Sequence, residues 1–237
     1  MKIIEFCGNP GVGKTTLVTA LTKEMRHRGI KTICYIPGTK AGLDYCLLAS
    51  KLIYKYYEYC FSKKSCFKFP YKEYNDSISN YLDVDSARWA VLCLIFFIEQ
   101  LADKNIEYLF IDEGFIQRTT SFMYDRNFNK EELDFFTSFF NSCVYGKYDT
   151  HIAYCSVNQE QNVERIQKRE KPCLYKFIEE NEMRKKLCIR NSNIKSLING
   201  VRHKGVINIQ TDSYNISDVC NKILLATNSL GYDNNRL

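Results

Sequence analysis

Short, nearly continuous apolar runs alternate along this chain with stretches in which apolar residues recur every three to four positions. Residues 2–7, KIIEFC, are β-favouring and run into a glycine-rich turn. Residues 14–28 follow with Leu17, Leu21 and Met25 at i, i+4 and i+8, which predicts an amphipathic helix with Gly29 as its stop. Residues 31–36 (KTICYI) predict a second strand, ended by Pro37-Gly38. A helix is expected over 40–60, then an irregular, aromatic and lysine-rich stretch over 61–82. A long apolar helix is expected over roughly 84–104, capped by Asp83 or Asp85. Beyond it the pattern predicts strands 107–112, 150–156 and 205–210. The helices between and after them are placed near 129–142, at 160–169, over 173–199 and at 215–229. No internal repeat or low-complexity linker interrupts the series.

Apolar strands that alternate with helices imply an α/β fold, a parallel sheet covered on both faces. Five strands are available, and in such sheets ligands bind beyond the strands' carboxyl ends. Any chemistry is therefore expected in the loops after residues 7, 36, 112, 156 and 210.

Composition narrows the class only slightly. The 237 residues suit one α/β domain, and 45% apolar with 25% charged residues excludes global disorder. The longest apolar run, Trp89–Ile98, is ten residues, half of the roughly 20 that a membrane span needs. The first apolar stretch is too short for a signal peptide. Eleven cysteines without a CxxC pair, several in apolar runs, predict reduced, buried thiols in a cytoplasmic protein. His27, His151 and His203 are not spaced for a zinc site with those thiols. The net charge of +6 conceals a segregation: residues 51–72 carry +5 and 165–204 carry +8, around a segment 73–164 that carries −10.

Gly8-Asn9-Pro10-Gly11-Val12-Gly13-Lys14-Thr15, followed by Thr16, fits the pattern G-x-x-x-x-G-K-S/T between a strand and a helix. Glycines let backbone N–H groups turn inward around phosphate oxygens, and the next helix points its N-terminal dipole at the same anion. Lys14 then supplies a cation for the β- and γ-phosphates, and Thr15 a hydroxyl ligand for Mg²⁺. Tyr108-Leu109-Phe110-Ile111-Asp112-Glu113 ends an apolar strand in two carboxylates. Asp112 is the expected Mg²⁺ partner, and Glu113 the group that orients or deprotonates an attacking hydroxyl or water. Gly114 permits a sharp departure that brings Gln117 and Arg118 toward the acceptor. Arg165 and Arg169, at i and i+4, share one face of a short helix. Paired arginines suit a transition state whose equatorial oxygens need positive charge.

In these parts and their order the chain resembles P-loop kinases of the nucleoside-monophosphate-kinase type, nearest to thymidylate-kinase-like proteins. The resemblance implies a three-layer sandwich whose five parallel strands run 2-3-1-4-5. It implies a single domain over 1–237, with an acceptor-side insertion at 42–82 and a lid at 157–173 carrying Arg165 and Arg169. It also implies that the loop after the last strand, with Thr211 and Asp212, packs near the adenine of ATP. The chain departs from the family where an Asp-Arg-Tyr or Asp-Arg-Phe element is usual: here the strand ends Asp112-Glu113-Gly114, and Arg118 stands as a displaced substitute.

The activity these features imply is ATP- and Mg²⁺-dependent transfer of the γ-phosphate to a small acceptor, a nucleotide, nucleoside or sugar derivative. The alternative is a P-loop ATPase or nucleotide switch in which Glu113 activates water. No NKxD-type guanine motif is present. Residues 51–72 interleave Tyr54, Tyr56, Tyr57, Tyr59, Phe61, Phe67, Phe69 and Tyr71 with lysines, which suits either a stacked acceptor or core packing. Nucleic acid and membrane are not expected as partners, and a homodimer is compatible with the sequence.

Overall fold

The computed structural model describes residues 1–36, 85–102, 104–123, 126–169 and 174–228. The expected helix 40–60, the stretch 61–82, the insertion 42–82 and the end of the lid at 170–173 lie outside the described residues.

Five strands form one parallel sheet: β1 (Lys2–Cys7), β2 (Thr32–Tyr35), β3 (Tyr108–Asp112), β4 (Asp149–Ser156) and β5 (Val206–Gln210), in the order β2-β3-β1-β4-β5. This is the strand order that the resemblance implies. Strand β1 pairs with β3 on one side and β4 on the other, Phe6 facing Asp112 and Ala153. The connection from β1 to β2 thus runs to one side of the sheet and that from β3 to β4 crosses β1 to the other, which opens a crevice at the carboxyl ends of β1, β3 and β4.

Side chains alternate across the central strand as the period of two requires. Ile4 and Phe6 face α1 (Lys14–His27) and α7 (Ile216–Asn228), in a core with Leu17, Leu21, Met25, Phe110, Cys220 and Ile223. Ile3 and Cys7 face the opposite core, to which α2 (Asp85–Ala102), α3 (Phe115–Phe122), α4 (Lys130–Phe140) and α6 (Glu180–Gly200) contribute Leu94, Phe115, Phe136 and Ile194. The stripe Leu17–Leu21–Met25 is buried throughout, and the helix stops at Gly29 with φ 78°. A short helix α5 (Gln159–Gln167) follows β4.

The helix α3 was not foreseen. Its eight residues, FIQRTTSF, mix apolar and polar positions with no N-cap side chain to announce them. Its first-turn amides are instead served from the sheet by Glu5, as described below. The region expected as one helix over 173–199 divides into a 3₁₀ turn, Leu174–Phe177, and α6. Helix α4 opens with a capping box between Asn129 and Glu132 and ends in a π-helical turn, Asn141–Tyr145. Among the described residues no helix is long and apolar enough to cross a membrane.

Candidate active site

The loop between β1 and α1 is shaped by what presses on it. A Cβ on Gly8, whose φ is 148°, would lie 2.2 Å from the carbonyl oxygen of Cys155 on β4, so only glycine fits there. Asn162 of α5 donates to the Pro10 carbonyl at 2.6 Å, and Asn9 Nδ2 donates to the Leu187 carbonyl of α6 at 3.3 Å. Val12 is buried in the α1 core and anchors the loop from below. Helix α1 begins at Lys14 with no side-chain cap, which leaves its first amides and its dipole for an anion.

Lys14 is buried, and its Nζ donates to the carbonyls of Gly8 and Asn9, each at 3.0 Å. Burial pulls its pKa below the ordinary lysine value; Asp112 works in the opposite direction. Asp112 is 1% exposed and its Oδ2 accepts from the Thr15 hydroxyl at 2.5 Å. Its other oxygen, Oδ1, is buried without a hydrogen-bond partner. Burial pushes the Asp112 carboxyl up, and Lys14 draws it back down. An oxygen pair from Thr15 and Asp112 with one lone carboxylate oxygen is the donor chemistry that a hard divalent cation takes. Glu113 follows at φ 58°, the one positive φ outside glycine among the described residues. Such a conformation costs a bulky residue about 1 kcal/mol and is held here between a strand end and a helix start.

A cleft of about 620 Å³ opens over this loop. Pro10, Gly11, Gly13, Lys14, Thr15 and Thr16 line one wall, with Glu113, Arg165, Arg169 and Thr211 around it. Arg165 reaches past Gly13 and donates to the Thr211 carbonyl at 3.2 Å, so α5 is joined to the loop after β5. Among the expected residues, Gly8, Asn9, Val12, Asp112, Asp212 and Arg118 do not line the cleft. Asp112 lies beneath it against Thr15; Asp212 is exposed beyond Thr211. Arg118 turns away: it donates to the Glu113 carbonyl at 2.9 Å and to the Tyr35 hydroxyl at 2.8 Å, with its guanidinium over the Tyr35 ring.

The far wall is made of residues the motifs do not contain. Gln117 and Ser121 of α3, Tyr175 of the 3₁₀ turn and Arg190 of α6 all line the cleft, as does Tyr214 near Thr211. Gln117 accepts a hydrogen bond from the Gly8 amide at 3.1 Å, which ties α3 to the loop. Two signals in the chain point to this wall: the placement of Gln117 just past Gly114, and the position of Arg190 three residues after Leu187 and four before Ile194, on the apolar stripe of α6.

Helix α3 is itself held by a carboxylate from the central strand. Glu5 is 1% exposed, accepts from the Ile116 amide at 2.8 Å and from the Tyr145 hydroxyl, and faces the start of α3. Gly114 fits against it closely: a Cβ there would come within 2.4 Å of the Glu5 carboxyl carbon. Burial pushes the Glu5 pKa up to about 7 against the opposing pull of those hydrogen bonds.

No family model matches the chain, and no curated protein matches it. Among solved structures it is similar to a deoxyadenosine kinase from M. mycoides with products dCMP and a flexible dCDP bound. The identity is 16% and the TM-score 0.49, with 97% of this chain and 100% of that one covered. A second structure of deoxyadenosine kinase from M. mycoides, with dATP bound, matches at 16% identity and a TM-score of 0.47, with 98% and 100% covered.

Proposed function

We propose that this chain is an ATP- and Mg²⁺-dependent phosphotransferase of thymidylate-kinase-like type, which moves the γ-phosphate to a small nucleotide, nucleoside or sugar derivative. The observation that carries the reading is the contact of Thr15 with Asp112 at 2.5 Å, directly beneath a cleft that Lys14, Glu113, Arg165 and Arg169 line. The loop amides and the start of α1 bind the donor's phosphates, and Lys14 exchanges its carbonyl partners for β- and γ-oxygens. Thr15 and Asp112 would hold Mg²⁺, which when bound neutralises charge on the β- and γ-phosphates. Glu113 orients the acceptor or takes its proton, and Arg165 and Arg169 neutralise charge that develops on the transferred group. Thr211 and Tyr214 flank the base of the donor. The wall beyond Glu113, from Gln117 to Tyr175, supports a place for an acceptor rather than for water alone.

The test is ADP release from Mg-ATP across a panel of nucleosides, nucleoside monophosphates and sugars. Acceptor-stimulated release is expected, with Lys14→Ala reducing it by about 10³-fold or more. Release that is indifferent to every acceptor would make the chain a hydrolase instead.

A further inference from the structure

Helix α5 presents two unlike faces. Val163 and Ile166 are buried in a small core with Tyr175 of the 3₁₀ turn and Met183 and Leu187 of α6. Asn162 is buried too, at 3% exposure, yet its side chain is an amide. A buried amide is costly unless it is hydrogen-bonded, so packing alone would favour an apolar residue in its place.

What Asn162 meets is the phosphate loop. Its Nδ2 donates to the Pro10 carbonyl at 2.6 Å. A Cβ on Gly11 would lie 2.9 Å from that same nitrogen and 2.9 Å from Ile166 Cγ1, so loop and helix are in direct contact. The loop is bound to α6 as well, through Asn9 Nδ2 and the Leu187 carbonyl, and the Leu187 side chain belongs to the core shared with α5. Loop, α5 and α6 thus close into a ring.

The two arginines are carried by this ring. Arg165 follows Asn162 at i+3, on the same face of the helix. Its guanidinium reaches the Thr211 carbonyl at 3.2 Å, and Thr211 is tied back to the Ser156 carbonyl by its amide at 2.9 Å and its hydroxyl at 3.1 Å. Arg169 lies just past the helix, its amide still bonded to the Ile166 carbonyl at 3.3 Å. Fixed points at Pro10 and at Thr211 together set how α5 is turned and how far it is slid along the loop.

We propose that Asn162 is a positioning residue that registers α5 on the phosphate loop, so that Arg165 and Arg169 stand over the donor's phosphates before any nucleotide arrives; this rests on the phosphotransferase reading above. The helix is then a fixed part of the wall rather than a flap that nucleotide closes. A preset pair needs no ordering when the phosphoryl group is transferred, and a slight shift of the helix costs rate more than nucleotide affinity.

The first measurement is amide hydrogen exchange on the whole wild-type chain, free and with Mg²⁺ and AMP-PNP. Amides of α5 are expected to be protected about 10²-fold or more in the free chain, and nucleotide should slow them no more than it slows those of β1. Exchange of α5 at the rate of unstructured chain until nucleotide is added overturns the proposal. ADP release with the most active acceptor then separates positioning from mere support of the fold. Asn162→Ala is expected to lower kcat about 30-fold while the Kd of ATP changes by less than about 3-fold. Asn162→Ser, which keeps a shorter donor, should recover part of that loss. Because Asn162 acts through the arginine, adding Asn162→Ala to Arg165→Ala should cost less than about 3-fold beyond Arg165→Ala alone. Full additivity in that cycle, or a kcat that Asn162→Ala leaves unchanged, overturns the role of Asn162. The exchange comparison needs no variant and decides the matter if Asn162→Ala fails to fold. Failure of the kinase reading itself looks different: wild-type ADP release would ignore every acceptor, while exchange would still show whether α5 is preset.

Discussion

The two walls of the cleft are built on opposite plans. On the β1–α1 side a contiguous run, Gly8 to Thr16, supplies nearly every polar group, and its shape is imposed by backbone: the Cys155 carbonyl behind Gly8 and the helix start at Lys14. On the α3–α6 side Gln117, Ser121, Tyr175 and Arg190 come from separate elements. That wall is held in place by a buried side chain, Glu5, rather than by the path of one loop. A wall fixed by backbone tolerates no side chain at its tight point. A wall fixed by a side chain yields when that side chain moves or changes its charge.

Substitution at the two closest approaches should expose this difference. Gly8→Ala sets a methyl against a backbone carbonyl at 2.2 Å with φ at 148°, and neither can give way. A loss of about 4 kcal/mol or more in stability, with ATP binding abolished, is expected by urea denaturation and nucleotide titration. Gly114→Ala meets only the Glu5 carboxyl, at 2.4 Å, and Gly114 has an ordinary φ of −74°. Displacing that carboxyl from the start of α3 should cost about 3 kcal/mol, and a native-like melt would show that the wall does not depend on the contact.

Changing the charge of Glu5 without its shape gives the smallest effect and the sharpest one. Its folded pKa of about 7 lies above its unfolded value of 4.5. Between those values the folded state keeps a proton that the unfolded state has lost, so stability is full below about pH 4.5, falls as pH rises to about 7, and is level above. The contribution is on the order of 3 kcal/mol across that window. Urea melts at pH 5, 6, 7 and 8 should show the decline in wild type and its absence from Glu5→Gln. Parallel profiles for the two proteins would mean that Glu5 titrates as an ordinary carboxylate.

The same contrast explains what could be read from the chain. The loop from Gly8 to Thr16 and the strand end at Asp112-Glu113 were legible because each is local: its residues adjoin in sequence, and its chemistry needs fixed types at fixed spacing. Strand positions were legible too, since buried parallel strands must be apolar along their length. The short helix α3 was not, because its N-terminus is capped by a residue 111 positions away in sequence. Arg118 is the instructive case on the other side. Its proximity to Asp112 in sequence suggested an acceptor contact, yet a turn of helix carries its guanidinium onto Tyr35. The basic segment 165–204 divides likewise into Arg165 and Arg169 at the cleft, a solvated face of i, i+4 ion pairs, and one inward arginine.

Sequence alone thus determined the fold class, the five strands, and the half of the cleft built from the loop Gly8 to Thr16. Those properties follow from local backbone geometry and hydrophobic period, which neighbouring residues carry without help. Only the tertiary structure decided which wall faces that loop, because it depends on which side chains from β1, α3 and α6 are brought together and buried. Burial gives Glu5 its high pKa and leaves Arg190 a cation with no carboxylate among the described residues. Helical spacing turns Arg190 inward, but what each of these side chains meets there belongs to its place in the fold.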